Sequence, residues 1–132
     1  MKKATIFLFI SMLSCCLMAQ MPRFHVLKDA KAAAGCFLTN QKGEYFANLA
    51  AGEMTDKNAA IFNFTGKDIV LPSIKGTKKY PEAYGNENYK VYLHAKSLGK
   101  EGESCLENFR YEAKIIFKGK TYYYALDGFC GC

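Results

Sequence analysis

The strongest constraint on the fold lies in residues 109–132, where an alternating segment runs into a cysteine-flanked end. Phe109, Tyr111, Ala113, Ile115 and Phe117 alternate with Arg110, Glu112, Lys114, Ile116 and Lys118. A period of two puts the first set on one face of a β-strand and the mostly charged second set on the other. Gly119 supplies the backbone freedom of a tight turn, and Thr-Tyr-Tyr-Tyr-Ala-Leu over 121–126 is a β-favouring return strand. Cys105 precedes this hairpin, and Cys130 and Cys132 follow it. Pairing the strands brings the open ends together and carries Cys105 toward the terminal pair. A β-sheet fastened by cysteines is the first expectation.

The beginning of the chain reads as an address. Lys2 and Lys3 precede an apolar stretch over 6–13 that continues through Leu17 and Met18, and Leu17-Met18-Ala19 before Gln20 fits a signal-peptidase site. Fewer than 18 consecutive apolar residues are present, too short for a transmembrane span. Leu13-Ser14-Cys15-Cys16 offers a second reading, a partial lipobox with a lipid anchor at Cys15 or Cys16. The chain is therefore expected to be exported to the periplasm or beyond, with an outer-membrane lipoprotein as the alternative.

Cutting after Ala19 leaves residues 20–132 as a single domain whose core buries roughly two-thirds of the unfolded surface. The formal charge of +6 falls to +4 with the loss of Lys2 and Lys3. The lysines are mostly single and interspersed with acids, which is a solvated surface and not a nucleic-acid footprint. Four cysteines remain, Cys36, Cys105, Cys130 and Cys132, and an even count in an exported domain reads as two disulfides. A bridge from Cys130 to Cys132 strains its geometry. Cys36 is then expected to join one terminal cysteine and Cys105 the other, without a choice between the two arrangements. The rival chemistry is a thiolate metal or redox site built on Cys130 and Cys132 with Cys105 or His94. An oxidising compartment disfavours it, so no metal and no cofactor are expected.

Between leader and hairpin the pattern is that of short strands. Residues 26–34 (Val-Leu-Lys-Asp-Ala-Lys-Ala-Ala-Ala) form the one helix candidate, with Gly35 at its end. Strands are expected over 36–39, 44–47, 60–64, 69–71 and 89–96, with turns at 40–43 and 65–68. Residues 50–58 and the polar stretch 75–88 read as loops. The fold class is mainly β: a small antiparallel β-barrel or curled meander with one short N-terminal helix.

Ser104-Cys105, Tyr111, Gly119-Lys120-Thr121-Tyr122 and the Cys-Gly-Cys end resemble the C-terminal part of the exported META/HslJ/NlpE-like domains of bacteria. That resemblance covers about 30 residues and implies a short meandering barrel with a disulfide near its last hairpin. The tryptophan motif that opens many such domains is missing. Residues 66–71 and 84–89 are similar to periplasmic inhibitors of lysozyme, whose serine-rich inhibitory loop is not recognisable in this chain.

No nucleophile–base pattern points to an enzyme. His25 and His94 are the only histidines, His25 near the mature terminus and His94 on the outward phase of its strand. Glu101, Glu103 and Glu107 lie in a charged turn. The tyrosines are the functional clue. Tyr80, Tyr84, Tyr89 and Tyr92 cluster around the long loop, and Tyr122 and Tyr124 share one face of the last strand. These six are the candidate binding surface for a protein or envelope component, since tyrosine offers a broad apolar ring with a polar tip.

Overall fold

The computed structural model describes residues 21–29, 35–49 and 58–131. The expected leader with Cys15 and Cys16, the second half of the expected helix, and Cys132 lie outside them. Eight strands form one sheet: β1 Cys36–Thr39, β2 Tyr45–Asn48, β3 Ala59–Asn63, β4 Asp68–Pro72, β5 Glu82–Gly85, β6 Tyr89–Lys100, β7 Glu107–Phe117 and β8 Lys120–Cys130. Their order is β4-β3-β2-β1-β8-β7-β6-β5, so the first strand pairs antiparallel with the last. A single bridge, Ser73 with Tyr84, and the bond from Ile74 N–H to the Ala83 carbonyl (3.0 Å) draw β4 and β5 together. The result is a nearly closed up-and-down barrel.

Two runs of four strands build it. The turns after β1, β3, β5 and β7 share one end, and the longer connections share the other with the start of β1 and the end of β8. The Lys118-Gly119 turn explains the register of the last hairpin. Both residues have positive φ, 51° and 74°, as a two-residue turn matched to strand twist requires. Phe117 then faces Lys120, Ile115 faces Tyr122, and Ala113 faces Tyr124.

The barrel interior is packed. Leu38, Ala47, Ala60, Phe62, Leu71, Val91, Leu93, Tyr111, Ala113 and Ile115 are fully or almost fully buried and come from six strands. Gly128 lies under the Tyr111 ring, and a Cβ there would meet that ring at 2.6 Å and the Phe37 carbonyl oxygen at 2.5 Å. A second aromatic group, Phe37 stacked on Tyr45 at 4.7 Å and on Phe129 at 5.4 Å, packs on the outer side of the β1–β8 junction.

The disulfide Cys36–Cys130 joins two residues that are direct partners in the β1–β8 ladder, and it closes a loop with a sequence separation of 94. Cys36 and a terminal cysteine were expected to pair, and Cys130 is that cysteine. Cys105 is also disulfide-bonded.

The expected N-terminal helix needs correction where it is described. Residues 26–29 carry no helix. They belong to an irregular strap over 21–29 that crosses the turn end of the barrel. Pro22 is fully buried and its carbonyl accepts from the Tyr124 hydroxyl. Phe24 packs among Phe46, Phe62, Phe64 and Tyr124 at centroid distances of 5.3–6.4 Å. His25 N–H donates to the Asn63 carbonyl, and Leu27 N–H to that of Tyr45. Asp68 accepts from the backbone N–H of Lys28 and of Asp29, both at 2.9 Å, and from Asn63 Nδ2. Burial of Phe24 and those acceptors hold residues 21–29 in the strap, so no helix begins at 26; the rest of the expected helix, 30–34, lies outside the described residues.

The 75–88 stretch also differs from expectation. It contains β5, a short strand just after Pro81, and a turn in which Tyr80 N–H donates to Thr77 Oγ1. Among the described residues no helix is long and apolar enough to cross a membrane.

Candidate functional site

The barrel wall sorts the tyrosines. Tyr84 is 7% exposed and points inward, where its hydroxyl donates to Glu82 Oε1 at 2.5 Å. Burial, with the Glu82 carboxylate adding to it, pushes the Tyr84 phenol far above its usual range. Burial does the same to Tyr111. Tyr89 is half-buried between Phe64 and Phe117, at 5.1 and 4.7 Å, and desolvation raises its phenol too. Tyr122 shares the inward row of Ile115, and Tyr124 packs against Phe24. Four of the six candidate tyrosines therefore belong to the interior or its aromatic end.

The other two, Tyr80 and Tyr92, lie outside the barrel, beside Tyr123, which was not among the candidates. Tyr92, Lys114 and Tyr123 are consecutive partners across β6, β7 and β8, so their side chains form one outward row. The connection between β4 and β5 folds over this face and seats Tyr80 against it, 6.4 Å from the Tyr92 ring. Lys114 Nζ lies 5.9 Å from the Tyr80 centroid and 5.7 Å from that of Tyr92, while Lys79 Nζ approaches Tyr80 at 5.5 Å. Cation–π attraction of this kind is worth about 0.5–1 kcal/mol at exposed positions. His94 Nδ1 is 3.0 Å from the Lys79 carbonyl oxygen, which holds the connection down.

Beside this row runs a groove of about 340 Å³ lined by Tyr80, Glu112, Ala113, Tyr123, Tyr124 and Ala125. Tyr123, 67% exposed, is its open wall. The groove can stack a flat or apolar ligand on Tyr123 and offer a carboxylate from Glu112. It holds no nucleophile–base pair. Cys36, Cys105 and Cys130 are engaged in disulfides, and no three His, Cys, Asp or Glu side chains converge among the described residues.

Tyr123 was missed for a specific reason. The alternation of residues 122–124 leaves both faces open, and only the hairpin register decides between them. That register was available: a two-residue turn at Lys118-Gly119 places Tyr122 and Tyr124 opposite the apolar Ile115 and Ala113. Comparison with known proteins adds no assignment to this geometry: no family model, no curated protein and no solved structure matches the chain.

Proposed function

We propose that this chain is an exported, non-enzymatic binding domain of the bacterial cell envelope, and that its ligand site is the outer groove beside Tyr123. One observation carries the reading. The most exposed aromatic ring on the barrel wall borders a groove whose other side is a tyrosine fixed by its own connection. Preformed aromatic walls of this kind bind by stacking and apolar contact at low entropic cost. A volume of about 340 Å³ suits a small group such as one sugar ring or one peptide side chain. The packed interior supports the same location, because the space inside the barrel is taken by the chain's own side chains and by Phe24.

The test uses immobilised protein, its Tyr123→Ala variant and an extract of bacterial envelope. The expected result is a component retained by the wild type and lost by the variant, with the thermal melt unchanged. Equal retention by the two proteins would remove the groove from consideration.

A further inference from the structure

β8 has eleven residues and β1 has four. β1 pairs only with residues 127–130, so residues 120–126 have no strand on that side among the described residues. An edge of this kind presents a row of backbone donors and acceptors ready to pair with another chain. Its sequence between Lys120 and Asp127 is Thr-Tyr-Tyr-Tyr-Ala-Leu, without charge, proline or glycine. That is the composition that most favours strand addition.

Two further observations indicate what fits. A cleft of about 200 Å³ opens where β1 turns away from β8, lined by Thr39, Asn40, Phe46, Leu126 and Asp127 among others. It lies at the end of the open edge, where an entering strand would place a side chain. The charges around the edge are net positive, Lys120, Arg23 and Arg110 against Asp127. Lys120 stands at one end, and the exposed Arg23 acts electrostatically on the Tyr124 hydroxyl. Asp127, at the other end, is engaged by Arg110 at 2.6 Å.

We propose that residues 120–126 are a strand-addition site for an acidic, extended peptide segment of a partner protein. The added strand continues the sheet past β8 and ends in the cleft beside Thr39. Its outward side chains lie beside Thr121, Tyr123 and Ala125, while its inward ones must be small where Pro22 and Phe24 already pack on Tyr124, the cleft beside Thr39 taking the one larger side chain. Backbone hydrogen bonds supply the affinity, and the flanking cations select acidic sequences.

A random twelve-residue peptide library displayed on phage, panned against the purified protein, supplies the probe. Enriched peptides should be acidic and free of proline. Once synthesised, they should slow hydrogen exchange at the amides of residues 121–126. N-methylation of alternate peptide residues, which removes the pairing donors, should weaken binding at least tenfold, and Arg23→Glu with Lys120→Glu by about tenfold. Tyr80→Ala separates this site from the groove: it disrupts retention there and spares peptide binding. The proposal fails if no peptide is enriched, if protection falls elsewhere, or if N-methylation is without effect. It also fails if the same amides are already protected in a dimer of the protein without peptide, which would make a second copy the occupant.

Discussion

Two long strands of the barrel run past a shorter neighbour, and the segments left over are opposite in character. On β6, residues 94–100 extend beyond Glu82, the last β5 residue in register, and face outward past the barrel rim. On β8, residues 120–126 extend beyond Thr39, the last β1 residue in register. The β6 segment carries Lys96 and Lys100 and a register break between Ser97 and Gly99. Charge, a bulge and a twist are the usual means by which a sheet edge is kept from pairing. The β8 segment has a lysine only at its tip and three tyrosines in its middle. Among the described residues one segment is guarded and the other is not, and experiments can break or sharpen that contrast.

The largest effect is expected where the bare edge ends. The Cys36–Cys130 disulfide locks β1 to the closed part of β8. Closing a loop of that length is worth about 4–5 kcal/mol in the chain-entropy model, a large share of the roughly 5–15 kcal/mol stability of an ordinary domain. Cys36→Ser with Cys130→Ser should lower the melting midpoint by roughly 15–30 °C. Circular dichroism melts of the oxidised protein and the double variant decide the matter. A shift of only a few degrees would mean that β1 holds to β8 without the crosslink.

Gly128→Ala attacks the same junction by packing. The new methyl group would meet the Phe37 carbonyl at 2.5 Å and the Tyr111 ring at 2.6 Å, with backbone on one side that cannot yield cheaply. The expected cost is about 1–3 kcal/mol, read as a lower urea midpoint. Hydrogen exchange should quicken first at residues 36–39, extending the open edge of β8 toward its end.

The interior tyrosines give a milder, pH-dependent effect. Tyr84 and Tyr111 have phenols raised above the ordinary value, so the unfolded chain loses these protons near pH 10 while the folded chain keeps them. The unfolded state then binds fewer protons, and stability is fully present below pH 10 and falls as pH rises above it. Urea midpoints measured from pH 8 to 11 should decline above pH 10, and Tyr84→Phe should make the decline shallower. A flat profile would show that these rings ionise in place.

How much of this was legible in the sequence depends on the element. The β7–β8 hairpin was readable because ten alternating residues over 109–118 fix the period and a glycine turn marks where the chain reverses. β5 was not, since four residues after a proline carry too little pattern to stand out from a polar loop. The helix reading of 26–34 followed alanine propensity, and over 26–29, the part that is described, no local signal announces that the neighbouring Phe24 is needed in an aromatic cluster built from β2, β3 and β8. The groove was half legible. Tyr80 and Tyr92 stood among the candidates, yet their union with Lys114 and Tyr123 depends on a connection folding back over the sheet. The open edge could not be read at all, because strand lengths become unequal only when β1 and β8 are paired.

The smallest change in folding energy gives the sharpest test of the two edges. Lys96→Thr with Lys100→Thr removes the charges that guard β6, and Thr121→Lys with Ala125→Lys installs guards on the outward row of β8. All four positions are exposed, so each pair should leave folding stability within about 0.5 kcal/mol of the wild type. Association should respond instead. Light scattering during prolonged incubation at high concentration should rise for the unguarded β6 pair, because unblunted strand edges pair with one another. It should fall below the wild-type level for the guarded β8 pair, since a buried lysine in a strand–strand contact must be desolvated. If the β8 pair associates as readily as the wild type, its edge is not the reactive one and the contrast between the edges collapses. If removing both β6 lysines changes nothing, the bulge at Ser97 and Gly99 suffices as the guard, and the contrast rests on backbone shape and not on charge.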